Sequence, residues 1–148
     1  SEYKNLYDIA IGSLQKLPPE TEPVLNGTED IQDVNDLVYA LMNQKDLLKE
    51  LTKMMGQLRY AIEGRNKATA LEAEMKLKAI GHQLPKNRQV DRLICAAKGL
   101  DSESPKIASL YLERAYSLFK EDYRAVKATE EKIQSIVEKE MDDLNKIR

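Results

Sequence analysis

Between Asp33 and Glu63 the residues Val34, Leu37, Leu41, Leu48, Leu51, Met55, Leu58 and Ile62 follow one another by three, four, seven, three, four, three and four positions, with Gln44 inside the step of seven. Proline is absent from the stretch. A three-four spacing kept over four heptads predicts one long helix with a single apolar seam. Val38, Leu47 and Met54 widen that seam into a face that suits a bundle. Leu48 and Leu51 lie mid-helix at adjacent seam places, so both are predicted to be core.

The same reading carries along the rest of the chain. Residues 1–17 predict a helix with Tyr3, Leu6, Tyr7, Ala10, Leu14 and Leu17 on one face, ended by Pro18-Pro19. Residues 18–29, with three prolines and Asn26-Gly27, predict a loop. At Gly64-Arg65-Asn66 the heptad fails, and Asn66 or Thr69 is a candidate cap for a helix through Gly81 carrying Leu71, Met75 and Ile80. Gly81 to Pro85 is a stop, and Asn87 is expected to cap a short helix over 88–98 with Val90, Leu93, Ile94 and Ala97 inward and Gly99 at its end. Ser104-Pro105 then opens a run to residue 147 with neither Gly nor Pro. As one helix it would measure about 60 Å, against a domain diameter of about 30–40 Å, so the part over 126–148 is expected to project.

These elements predict an all-α fold: one domain over 1–148, an elongated bundle of about five helices dominated by 33–63 and 105–147, packed antiparallel in coiled-coil fashion. Composition agrees. Charged residues make up 32% of the chain and aromatics 5%. That balance favours long helices over a sandwich. No stretch approaches the roughly 20 apolar residues of a membrane span and no leader is visible, so an intracellular, cytoplasmic setting is expected. Cys95 is the single cysteine, so no internal disulfide forms; it is read as a small buried hydrophobe.

Net charge is −2, unevenly spread. Residues 1–58 hold 5 basic and 10 acidic side chains, 59–98 hold 9 and 4, and 99–148 hold 9 and 11. The middle block is the basic one, and its Arg65, Lys67, Lys76, Lys78, Lys86, Arg88 and Arg92 are candidate phosphate contacts, converging around the 82–87 turn.

Catalytic chemistry has no support in the pattern. His82 is the lone histidine and reads as a surface or cap residue; with one Cys it cannot build a His/Cys metal site. No Gly-x-Ser-x-Gly and no glycine-rich phosphate loop occurs. Pairs such as Glu130-Glu131 and Asp142-Asp143 read as solvated helix faces. No cofactor, metal, small-molecule substrate or membrane partner is expected, and no enzymatic activity. The chain reads as a helical interaction module, an assembly factor, adaptor or accessory subunit that self-associates or binds partner helices. Its candidate interface is the last helix: Val126, Ile133, Ile136, Val137, Met141, Leu144 and Ile147. The alternative is a nucleic-acid-associated subunit using the basic block.

Overall fold

The computed structural model describes the backbone of residues 28–147 and the side chains of residues 34–146. The helix expected over 1–17, and the expected loop up to Gly27, lie outside the described residues. The described residues form six helices, α1 (Thr28–Ala40), α2 (Gln44–Glu63), α3 (Lys67–Gln83), α4 (Val90–Ala97), α5 (Ser104–Phe119) and α6 (Tyr123–Ile147), with a 3-10 turn at Lys86–Arg88 before α4. The expected all-α bundle is the fold.

Both long helices are interrupted, each for a local reason. The seam over 33–63 breaks at Leu41-Met42-Asn43, where Asn43 is extended and its Oδ1 accepts from the Asp46 backbone N–H at 2.8 Å. That cap satisfies one of the donors a helix start leaves open. Gln44, the polar residue in the sevenfold step, is the first residue of α2. The run over 105–147 breaks at Lys120-Glu121-Asp122, where Asp122 Oδ1 accepts from the Ala125 N–H at 3.1 Å.

The expected break at 64–66 is present and has the same form. Arg65 and Glu121 adopt left-handed φ of 58° and 60°. Asn66 N–H reaches back to Ala61 O and Arg65 N–H to Ile62 O; Asp122 N–H reaches Ser117 O and Glu121 N–H reaches Leu118 O. These paired bonds are the Schellman closure, here without glycine at the left-handed place. An Asx residue follows each and caps the next helix: Asn66 accepts from the Thr69 N–H at 3.1 Å, as Asp122 does from Ala125.

The result is two hairpins. α2 packs mainly on α3, and α5 on α6, while α4 lies against α5 and α3 and joins the pairs. The α2 seam is therefore covered chiefly by the helix that follows it rather than by the C-terminal helix. Leu48 and Leu51 are fully buried as predicted, with Leu58, Leu77, Ile80 and Leu93. Of the three apolar residues expected on α3, Met75 and Ile80 are buried and Leu71 is exposed; Ala73, Leu77 and Ala79 complete the buried side.

Three further details differ from expectation. The start of α4 is not capped by Asn87: Gln89 precedes it in the left-handed region (φ 55°) with no side-chain cap, and Asn87 Oδ1 binds Arg88. At α5 Ser104, which directly before Pro105 reads as the cap, is itself the first helical residue, and the capping acceptor is Asp101, whose Oδ1 takes the N–H groups of Glu103 and Ser104 and the Ser104 hydroxyl. Cys95 is exposed, because Val90, Leu93, Ile94 and Ala97 fill the inward side of α4. Gly99 is required by approach: a Cβ there would meet the Ser104 hydroxyl and side chain well inside contact distance.

Candidate functional site

The basic block divides into parts with different work. Arg88 is buried, with Nε and Nη2 donating to Gln44 Oε1 at 3.1 and 2.7 Å and Nη1 to Asn87 Oδ1 at 2.6 Å. Burial presses its guanidinium down from the ordinary value, the nearby Arg114 adds to this, and Tyr123 opposes it. Arg114 Nη1 donates to the Asn87 carbonyl at 2.6 Å and its Nε to Glu130 Oε2 at 2.9 Å. These two arginines tie α2, the 3-10 turn, α5 and α6 together. Arg88 is a tether of the fold and is withdrawn from the phosphate-facing set. Arg59 serves similarly: its Nη1 donates to the carbonyl of Ala97 at 2.9 Å and to that of Gly99 at 2.7 Å. It thereby closes the C-terminal end of α4, where open carbonyls favour a cation.

The remaining bases do not all converge. Arg65 and Lys67 sit at the α2–α3 turn. The helical rise puts that turn about 22 Å along α3 from His82. Lys76 pairs with Glu72 at 3.5 Å, away from the 82–87 turn. Lys78, Lys86 and Arg92 do converge, as expected, around that turn. They line a cleft of about 490 Å³ between the end of α3 and α4, with Gly81, Pro85, Val90 and Ile94 as its apolar part and His82, Gln89 and Asp91 completing it. Lys78 also reaches Glu74 at 3.3 Å. Among the described residues the Lys86 and Arg92 side chains make no hydrogen bond or ion pair. The first turn of α4 opens beside them without a side-chain cap, so its positive end adds to the field. His82 Nδ1 lies 3.0 Å from Asp36 Oδ1, so α1 borders this cleft.

A second kind of surface is apolar. On α6, Val126 and Ile133 are buried and Ile136 is half-buried, so these three belong to the fold rather than to a free interface. Val137, Met141 (59% exposed) and Leu144 (63%) stand in water at steps of four and three. The side chain of Ile147 lies outside the described ones. The projecting part is also shorter than 126–148. α6 has 25 residues and α5 has 16. The excess of about nine residues carries α6 about 13 Å past its partner.

On α1 the outcome reverses expectation. Val34, Leu37 (68% exposed), Val38 and Leu41 (84%) belong to the core seam by spacing, yet they form an outward stripe at steps of three, one and three. Tyr39 is the buried anchor of this helix, its hydroxyl pKa raised by burial and secondarily by Glu50. The break at Asn43 explains the reversal. Once α1 and α2 are separate helices, a shared heptad no longer puts both seams on one side. The signal for this is the polar interruption at Asn43-Gln44 with a carboxylate three residues after the asparagine.

Among the described residues no helix is long and apolar enough to cross a membrane. No protein-family model, curated protein or solved structure matches the chain.

Proposed function

We propose that the chain is a non-enzymatic helical interaction module that self-associates or binds partner helices. One observation carries the reading: large apolar side chains at helical spacing stand in water on α1 and on the end of α6, while a dense core is closed elsewhere. Contiguous apolar surface of this kind marks association sites, and an i, i+3/i+4, i+7 stripe is what a helix presents to another helix or groove. The test is solution mass by light scattering over a concentration series, for the wild type and for Met141→Asp with Leu144→Asp. The expected result is a mass above one chain; a fall in the double variant puts the α6 end in the contact, and an unchanged mass leaves the α1 stripe as the contact face. A clean single-chain mass at all concentrations, unaffected by the substitutions, removes self-association and leaves partner helices alone.

A second reading, a nucleic-acid-associated subunit, is favoured by the convergence of Lys78, Lys86 and Arg92. Contact would be to phosphates, weakly sequence-dependent and steeply weakened by salt. Fluorescence anisotropy with a labelled single strand and a labelled duplex at low salt tests it; no binding there ends this reading.

A further inference from the structure

We propose that the α3/α4 cleft receives the exposed α1 stripe of a second copy of this chain, giving a two-fold dimer; the inference rests on the interaction-module reading. The cleft is a groove with an apolar floor (Gly81, Pro85, Val90, Ile94) and a cationic rim (Lys78, Lys86, Arg92) against one carboxylate, Asp91. Such a groove selects an apolar helix face that carries negative charge. α1 is that helix. Over Thr28–Ala40 its sequence has four carboxylates, Glu29, Asp30, Asp33 and Asp36, and no Lys or Arg. Its Val34, Leu37 and Val38, and Leu41 just beyond its end, are exposed.

The end of α6 is the weaker match. Its exposed stripe runs among Lys139 and Lys146 as well as Glu138, Glu140, Asp142 and Asp143, so it offers the rim mixed charge. A nucleic-acid strand also fits less well. Lys78, Lys86 and Arg92 share one apolar-floored cleft, while Arg88 is buried and Arg65 and Lys67 lie at the far end of α3, so no extended basic track follows a strand.

Geometry favours closure. The Asp36–His82 contact makes α1 and the cleft neighbours. A two-fold axis between them sets each copy's α1 stripe against the other's cleft, two identical contacts that end at two chains. Because the rim charges are exposed, association should weaken as salt shortens their reach to less than about 10 Å above about 0.1 M.

The experiment is light scattering of the full chain at low and high salt, with circular dichroism to confirm helicity. The wild type should approach two chains with concentration and fall back at high salt. Leu37→Asp with Leu41→Asp, and separately Lys86→Glu with Arg92→Glu, should each give single chains with wild-type helicity. Mixing the two variants leaves one intact stripe facing one intact cleft, so the mixture should be heavier than either alone. If the Asp pair lowers helicity, Leu37→Gln with Leu41→Gln carries the same test. A wild-type assembly that both variant pairs leave unchanged overturns this interface while the interaction-module reading stands. A mixture no heavier than its components, or a wild type of single-chain mass throughout, overturns the dimer outright.

Discussion

The α2/α3 and α5/α6 hairpins share one turn and diverge in what covers them. Each first helix ends with a left-handed residue that is not glycine, Arg65 or Glu121, and each second helix starts from an Asx cap, Asn66 or Asp122. In the first hairpin the lengths nearly match, 20 and 17 residues, and α3 is buried from Ala73 to Ile80 along its inward side. In the second they differ, 16 and 25, and α6 is buried at Val126, Thr129 and Ile133 but not beyond. Turn chemistry sets where a chain reverses; the length of the partner sets how much of the returning helix is core. Where the partner ends, the same three-four spacing becomes a surface.

The largest effect that can break this comparison comes from cutting the same methylenes on both returning helices. Leu77 is fully buried on α3 and Leu144 is exposed on α6. Leu77→Ala should lower stability by about 2–5 kcal/mol. Leu144→Ala should stay within about 0.5 kcal/mol of wild type in dilute single chains. Urea unfolding of both variants checks this, and equal losses would mean that α6 is covered to its end. Next in size is the arginine tie between the hairpins. Arg88 is the donor to Gln44 Oε1 and Asn87 Oδ1. Arg88→Ala leaves both without it and should cost about 1–3 kcal/mol, read from the same unfolding curves.

A smaller effect sharpens the likeness of the turns. A left-handed L-residue costs about 1–2 kcal/mol, and glycine's extra chain entropy about 0.5–1 kcal/mol. Arg65→Gly and Glu121→Gly should therefore each raise stability by up to about 1 kcal/mol, and alike. A gain at one turn with a loss at the other would show that the two are not the same device.

The smallest effect lies on α3. Burial alone would raise the Glu74 carboxyl, but hydrogen bonds from Lys98 and Lys78 outweigh it and hold the pKa below the usual carboxylate value. A lowered folded pKa gives stability that is present above the unfolded value of about 4.3 and lost as pH falls through the folded one. Glu74→Gln should reduce the loss of stability on acidification below about pH 4. An identical acid limb for variant and wild type would show that the Lys98 and Lys78 contacts carry no weight.

Much of this fold was readable because helix signals are local. The stop at Gly81–Pro85, the inward set Val90, Leu93, Ile94 and Ala97, and the burial of Leu48 and Leu51 all follow from spacing and punctuation over a few residues. The break at Glu121 was hidden, since neither Gly nor Pro marks it and only Asp122 hints at a cap. The convergence of Lys78, Lys86 and Arg92 was legible as a charge cluster around a turn. The removal of Arg88 was not, because its acceptor Gln44 lies 44 residues away. Spacing misplaces the α1 stripe for a related reason: periodicity reports that a face is apolar, not which side of the molecule it meets.

If the apolar helix stripes left in water are the assembly surfaces of this chain, its mass must depend on them. Sedimentation velocity on the full chain, repeated with Leu37→Asp/Leu41→Asp and with Met141→Asp/Leu144→Asp, tests this most directly. The expected result is a wild-type mass that rises with concentration above the 16.9 kDa of one chain and falls in at least one stripe variant. A wild type fixed at one chain over the whole series, with both variants indistinguishable from it, would contradict it.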